Sequence, residues 1–489
     1  MMRRLIVLAL CLAGCAVPTP TSVPSRPSLA LIPCHLSAEG VADRLAAECG
    51  TLRVPENPAD PAGRQIELRV AVLRARGRNP ASDPLFFLTG GPGQAASESY
   101  LQMGGAFAEI NRQRDIVLVD QRGTGQSNPL DCPQVEDPLE VDTLEEVAAA
   151  AAECAAQLDA DPRFYTTAIA MDDLDRVRAA LGYEQINLYG VSYGTRAALA
   201  YLRQYPGRVR AVILDGVVPP EEALGVDVAR DAQRALDLMF DRCARDADCA
   251  AAFPDLRADF AALAARLDAA PAPVTVDDPL TGERVAFDYT YDGFAGTVRL
   301  LSYAPETVAL LPLLIHTAAT RDDLSLLAAQ SLLVGGQLAD SISQGMGYSV
   351  LCAEDAPRLD LAQADALNAG TYLGDAQTDQ IAAVCAAWPR GEIPADFGAP
   401  VMAAAPVLIL SGEADPVTPP ENGQQVASAL PSSLHVVAPG QGHNVILRGC
   451  LPRLAAGFIA AAGFDGLDTA CVSEIAPMPF FVVFTGPMP

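Results

Sequence analysis

Gly190-Val191-Ser192-Tyr193-Gly194 sets a serine between two glycines, behind the apolar run 186–189 and ahead of a helical stretch from Thr195. Glycine two residues before and two after leaves room for a sharp strand-to-helix turn that holds the hydroxyl out from the backbone. The N–H of Tyr193, at the start of that helix, points where an oxyanion would form. A serine hydroxyl attacks a carbonyl only with a base beside it, and the base needs an orienting carboxylate. Four histidines are available. His443, in the loop 439–444 after the apolar run 434–437, is the expected base. His35 precedes the strand series, His316 falls in an apolar helical stretch and His435 inside a strand, and these three read as structural. Asp415, just after the run 407–410, is the expected acid, with Glu413 the competitor nearer the strand end. A second oxyanion donor is expected from Thr89-Gly90-Gly91-Pro92-Gly93-Gln94, at Gly91 or alternatively Gly90, where glycines let backbone N–H groups approach a substrate. The chemistry of such a set is acyl transfer through a serine ester.

The elements that must position these residues are legible as short apolar runs. Residues 65–74 alternate, and 85–88, 116–119, 186–189, 209–214, 407–410 and 434–437 read as buried strands. Helical stretches such as 172–181 and 195–205 lie between several of them, which predicts a mostly parallel sheet covered on both faces. The alternation breaks between about Pro220 and Pro400. There Ala, Leu, Asp and Arg recur with helical spacing, as in 230–243 and 255–267, around one hairpin over 274–287 that turns at Thr281-Gly282. The expected organisation is a signal segment at 1–14, a tether at 15–30, a first α/β part at 31–220, a large helical cap at 221–400 and a second α/β part at 401–489. The apolar run 480–484 is expected to pack onto the body.

Charge and cysteines bound the setting. The 489-residue chain carries a formal net charge of -27 and contains no lysine, so its surface repels nucleic acid and anionic membranes. Arg3 and Arg4 ahead of the apolar run 5–12 form an export signal. Leu12-Ala13-Gly14-Cys15 resembles a bacterial lipobox, which implies a lipid on Cys15, and the Pro/Ser/Thr-rich stretch after it suits an extended tether. An envelope lipoprotein, held to the membrane through that lipid alone, is expected. Setting aside Cys11 and Cys15 leaves ten cysteines, an even number suited to an oxidising compartment. In sequence order they form the couples Cys34/Cys49, Cys132/Cys154, Cys243/Cys249, Cys352/Cys385 and Cys450/Cys471, and neighbour pairing is the working hypothesis. No C-x-x-C pair occurs, so zinc is not expected, and the serine chemistry needs no other cofactor.

Taken together, Gly90-Gly91-Pro92-Gly93, Asp120-Gln121-Arg122-Gly123-Thr124-Gly125-Gln126-Ser127, the elbow through Thr195 and Gly412-Glu413-Ala414-Asp415-Pro416-Val417-Thr418-Pro419 resemble the proline iminopeptidase and tripeptidyl aminopeptidase family of α/β-hydrolases. The resemblance runs from about Ile66 to Leu451 and is nearest to the larger, exported branch with a long cap. It implies an exopeptidase acting on the free N-terminus of a peptide, with a carboxylesterase as the enzymatic alternative and a non-catalytic binding lipoprotein as a third class. Thr89 stands where the smaller iminopeptidases carry His, which leaves the backbone donors intact but not the substrate preference. An N-terminal ammonium needs a buried anionic site, and Glu354 and Asp355, next to Cys352, are the expected pair. Asp120 and Arg122 are expected to brace the site rather than react.

Overall fold

The computed structural model describes residues 29–38, 44–132 and 143–486. The signal, Cys15 and the tether up to residue 28 therefore lie outside the described residues. Nine strands form one sheet: β1 (Ile32–Leu36), β2 (Leu45–Pro55), β3 (Gln65–Leu73), β4 (Leu85–Leu88), β5 (Ile116–Val119), β6 (Ile186–Val191), β7 (Val209–Asp215), β10 (Val407–Gly412) and β11 (Ser433–Ala438). Their spatial order is β1-β2-β3-β5-β4-β6-β7-β10-β11. The pairs from β1 through β5 are antiparallel, and those from β5 through β4 to β11 are parallel. β1 and β2 escaped the sequence pattern, because β2 pairs Glu48, Cys49, Gly50 and Arg53 with few large apolar residues.

β4, β5 and β6 are buried at every position, as strands covered on both faces must be. Alternate side chains divide the core. Leu188, Leu214 and Ile409 face one cluster with helices Thr167–Leu181 and Tyr193–Gln204. Tyr189, Ile213 and Leu410 face another with helices Ala96–Met103 and Leu451–Ala461.

Between β7 and β10 the chain leaves the sheet. Helices Val228–Arg245, Leu256–Ala269, Tyr291–Leu301 and Leu311–Arg321 pack around their own apolar cluster with the hairpin of β8 (Ala272–Asp277) and β9 (Arg284–Tyr289). Gly282, at φ +73°, makes the hairpin turn. The C-terminal run packs onto the inserted helices. Phe480 is buried in the cluster of the inserted helices, under the Arg242 guanidinium at 3.9 Å, and the Phe481 N–H donates to Ala309. Five disulfides join Cys34 to Cys49, Cys132 to Cys154, Cys243 to Cys249, Cys352 to Cys385 and Cys450 to Cys471. Among the described residues no helix is long and apolar enough to cross a membrane, and no cluster of metal-ligating side chains occurs.

Candidate active site

Ser192 sits at the carboxyl end of β6 with φ +55° and ψ -128°, a backbone conformation that costs a non-glycine residue energy. The turn is held from both sides. The Ser192 N–H donates to Asp215 O at 2.9 Å, and the Thr195 N–H and hydroxyl both return to Ser192 O. The flanking glycines are required by contact. A Cβ on Gly190 would lie 2.3 Å from Gly194 O, and one on Gly194 would lie 2.3 Å from Leu88 O. The elbow is therefore wedged between its own helix and the end of β4. The half-buried Ser192 hydroxyl makes no hydrogen bond among the described residues.

The imidazole and carboxylate arrive on the next strands along. His443 Nδ1 donates to Asp415 Oδ2 at 2.8 Å, and both side chains are buried. Asp415 also accepts the N–H groups of Val417 and Thr418 at 2.8 and 2.9 Å and the Thr418 hydroxyl at 2.8 Å. Burial works to raise the Asp415 pKa, but the His443 charge and these hydrogen bonds outweigh it and hold the carboxyl below its ordinary value. Burial likewise disfavours the imidazolium of His443. Asp415, helped by Asp215, outweighs that and sets its pKa above 6.5, with Arg299 pulling the other way. With Nδ1 engaged, Nε2 is the ring nitrogen free to act. The ring lies against Gly216, where an added Cβ would sit 3.0 Å from it. Gly216 directly follows Asp215, whose carbonyl binds the Ser192 N–H. Serine and imidazole are thus both brought to the ends of β6 and β7. Glu413 turns away, exposed, and accepts the Gly440 N–H at 2.8 Å.

The loop after β4 borders the same spot. Gly90 backs onto Ser192, with 3.1 Å from an added Cβ to the serine Cβ, and Gly91 follows at φ +104°. The chain matches the alpha/beta hydrolase fold family over residues 83–274 and the TAP-like protein family over 371–471, which together span the elbow, Asp415 and His443. The chain is an α/β-hydrolase.

Curated relatives agree in kind. Serine protease Hip1 of Mycobacterium tuberculosis is 27% identical over 85% of each chain. Tripeptidyl aminopeptidase of Streptomyces lividans is 30% identical over 35% of this chain and 36% of its own. The solved proline iminopeptidase of Mycobacterium smegmatis aligns at 16% identity and TM-score 0.39, over 84% of this chain and 98% of that one.

This α/β-hydrolase uses several side chains that the sequence did not flag. Asp215, fully buried at the end of β7, accepts the N–H groups of Val445 and Ile446 at 2.9 Å each and the Tyr189 hydroxyl at 2.9 Å. It thereby pins the loop directly after His443. Tyr303 takes the His443 N–H on its carbonyl at 2.8 Å and sets its ring edge-on to the imidazole at 5.3 Å. Their signals in sequence are faint: an aspartate ending a Val-Ile-Leu run, and one tyrosine among twelve.

Glu354 and Asp355 lie inside the protein. Both are completely buried in a wide helical turn (Leu351–Asp355) and bond to neighbouring side chains and backbone. Asp355 pairs with Arg196 at 2.8 Å, the Leu224 N–H at 2.9 Å and Arg358 at 3.3 Å. Glu354 accepts the N–H and hydroxyl of Thr167, whose oxygen also meets the Tyr193 hydroxyl at 2.7 Å. Burial, and then the Asp355 charge against that of Arg196, push Glu354 up to about 7. These acids tie the inserted segment to the helix behind Ser192, and all three Asp355 contacts fall on Oδ1, which leaves Oδ2 buried without a partner among the described residues. Asp120 and Arg122 are internal braces. Asp120 accepts from Ser97 and Gln126, and Arg122 from within the core reaches Asp173 and the carbonyls of Pro55, Glu56 and Phe164. His435 bonds Ser411 and His316 bonds Asp259, both in structural roles.

A cavity of about 350 Å³ lies in the inserted segment, among whose lining residues are Gly225, Asp292, Arg299 and Tyr348. Two stretches of its wall adjoin segments near the catalytic end. Helix Tyr291–Leu301, with Arg299, runs into Tyr303 and so to His443. Helix Gln344–Val350, with Tyr348, rests on the loop after β4 through the Ser343 N–H to Gly93 O at 3.0 Å. Gly225 follows Leu224, bonded to Asp355.

Proposed function

We propose that this chain is an exported serine exopeptidase that removes one or a few residues from the free N-terminus of peptides. The observation that carries the reading is the Asp415–His443 pair at 2.8 Å, delivered beside the strained elbow of Ser192. In the proposed cycle His443 Nε2 takes the Ser192 proton as the hydroxyl attacks the scissile carbonyl. The N–H groups of Tyr193 and Gly91 stabilise the tetrahedral oxyanion. His443 then passes the proton to the leaving amine, leaving an acyl-enzyme, and water repeats the sequence to free the N-terminal fragment and the serine. Asp415 keeps the imidazole in the right tautomer and stabilises its charged form. Every bond made and broken involves the chain, its substrate and water.

Peptide rather than ester substrates are favoured because the relatives named above are a serine protease and an aminopeptidase. We place ammonium recognition in the cavity within residues 221–400, which we read as the cap. Asp292 is the carboxylate among its lining residues. Export is supported by the five disulfides, and a lipid at Cys15 would hold the enzyme at the cell envelope. The test is a peptide supplied with a free and with an acetylated N-terminus. Turnover of the free form alone supports an exopeptidase, whereas equal rates point to the esterase-like alternative. Asp292→Asn is expected to raise KM for the free peptide about tenfold, the worth of one charge-assisted bond.

A further inference from the structure

The cap cavity holds a cation that the catalytic cycle does not use. Arg299 lines it, two turns along the helix Tyr291–Leu301 from Asp292 and on the same side. Its Nε is buried with no hydrogen-bond partner, and among the described residues no carboxylate forms an ion pair with it. The fully buried Arg122 and Arg196 are neutralised, by Asp173 at 2.7 Å and Asp355 at 2.8 Å, whereas half-buried Arg299, like Arg234, faces no carboxylate among the described residues. Acids outnumber bases by 60 to 33 in this chain, so the want of a partner does not come from a shortage of carboxylates. Holding a half-buried guanidinium unpaired costs desolvation energy that an arriving anion recovers. What positions the group is aromatic. Its Cζ stands 5.6 Å from the Tyr303 ring centre, and Tyr303 in turn meets the His443 ring edge-on at 5.3 Å. The guanidinium therefore sits one ring away from the imidazole, on the wall of the cap cavity.

We propose that Arg299 is the anion receptor of the substrate cavity and selects peptides that carry a carboxylate, which its planar fork binds through paired hydrogen bonds. This assignment rests on the exopeptidase reading. The carboxylate has two sources on a peptide: an acidic side chain in the fragment released, or the free C-terminus of a short chain. Asp292 and Arg299, about 10 Å apart along one helix, give the cavity one acceptor for an ammonium and one donor for a carboxylate. A zwitterionic oligopeptide matches both.

Two matched pairs of free-amine peptides separate the sources. One pair carries Glu or Gln within the first residues, and the other ends in a carboxylate or a carboxamide. The wild-type enzyme should favour the carboxylate member of one pair by about 10- to 100-fold in kcat/KM, mainly through KM. Arg299→Gln should bring that ratio to within about twofold of unity. The ratio is taken within one preparation, so a general loss of activity cancels. Arg299→Lys, which keeps the charge without the fork, should give an intermediate ratio, and it serves alone if the Gln variant does not fold. No preference in either pair for the wild type, or a preference unchanged in either variant, overturns the assignment. A wild-type protein whose Ser192 reacts with a fluorophosphonate but which cleaves none of the four peptides overturns the exopeptidase reading, and this assignment with it.

Discussion

Among the contacts of His443, three each set one of its properties. Asp415 on Nδ1 fixes the tautomer, the Tyr303 carbonyl on its N–H fixes the loop, and Gly216 leaves room for the ring. The pH dependence follows from the first. Burial opposes protonation, yet Asp415 and Asp215 raise the imidazole pKa above 6.5. A protonated ring accepts no proton from Ser192, so activity is present above that raised pKa and lost as pH falls through it. The acid limb of kcat/KM should therefore lie above pH 6.5 and drop about tenfold per unit below it. A limb at or below 6.5 would contradict the pairing. Asp415→Asn should lower kcat about 10⁴-fold, because the amide favours the wrong tautomer. The same change at Glu413, which only meets the Gly440 N–H, should cost less than tenfold by steady-state kinetics.

At the scale of elements, the site depends on strand ends brought unusually close. A Cβ on Gly194 would meet Leu88 O at 2.3 Å, and one on Gly412 would meet Gly442 O at 1.9 Å. Both obstacles are backbone, so neither can swing aside. Gly194→Ala should destabilise the fold by about 2–3 kcal/mol or more in denaturant titration and abolish activity. A variant that is stable and active would show the elbow to be looser than this packing. Asp215 is the other linchpin. Asp215→Asn replaces one acceptor of the Val445 and Ile446 N–H pair by a donor, which should cost about 1–3 kcal/mol. It should also lower kcat more than it changes KM, since the loop it holds carries the base. The elbow, Asp415 and His443 were readable because each falls just past an apolar run. Asp215, Thr418 and Tyr303 were not, because they act on backbone atoms or partners up to 231 residues away, which leaves no local pattern. The partners of Glu354 and Asp355 were not legible, because nothing in their own segment reveals Arg196 and Thr167 facing them.

At the scale of the molecule, the parallel strands β4 to β7, β10 and β11 and the β8–β9 hairpin were legible from period and turn chemistry. β1 and β2 were hidden by polar and small residues at an antiparallel edge. The cysteines announced an oxidised protein by number, while their partners were fixed only by the fold. The link from Cys352 to Cys385 closes 33 residues beside Glu354, so Cys385→Ala should cost about 3–4 kcal/mol and lower the thermal midpoint. An unchanged midpoint would mean that the helices hold that region without it. If Cys15 carries a lipid, Cys15→Ser should move the enzyme from the membrane to the soluble fraction without changing kcat on a soluble peptide.

Mass-spectrometric mapping of a fluorophosphonate adduct tests the catalytic assignment most directly. The adduct should fall on Ser192 alone and vanish in a folded Ser192→Ala protein together with peptide hydrolysis. Labelling of another serine, or peptide turnover that survives the loss of this hydroxyl, would contradict it.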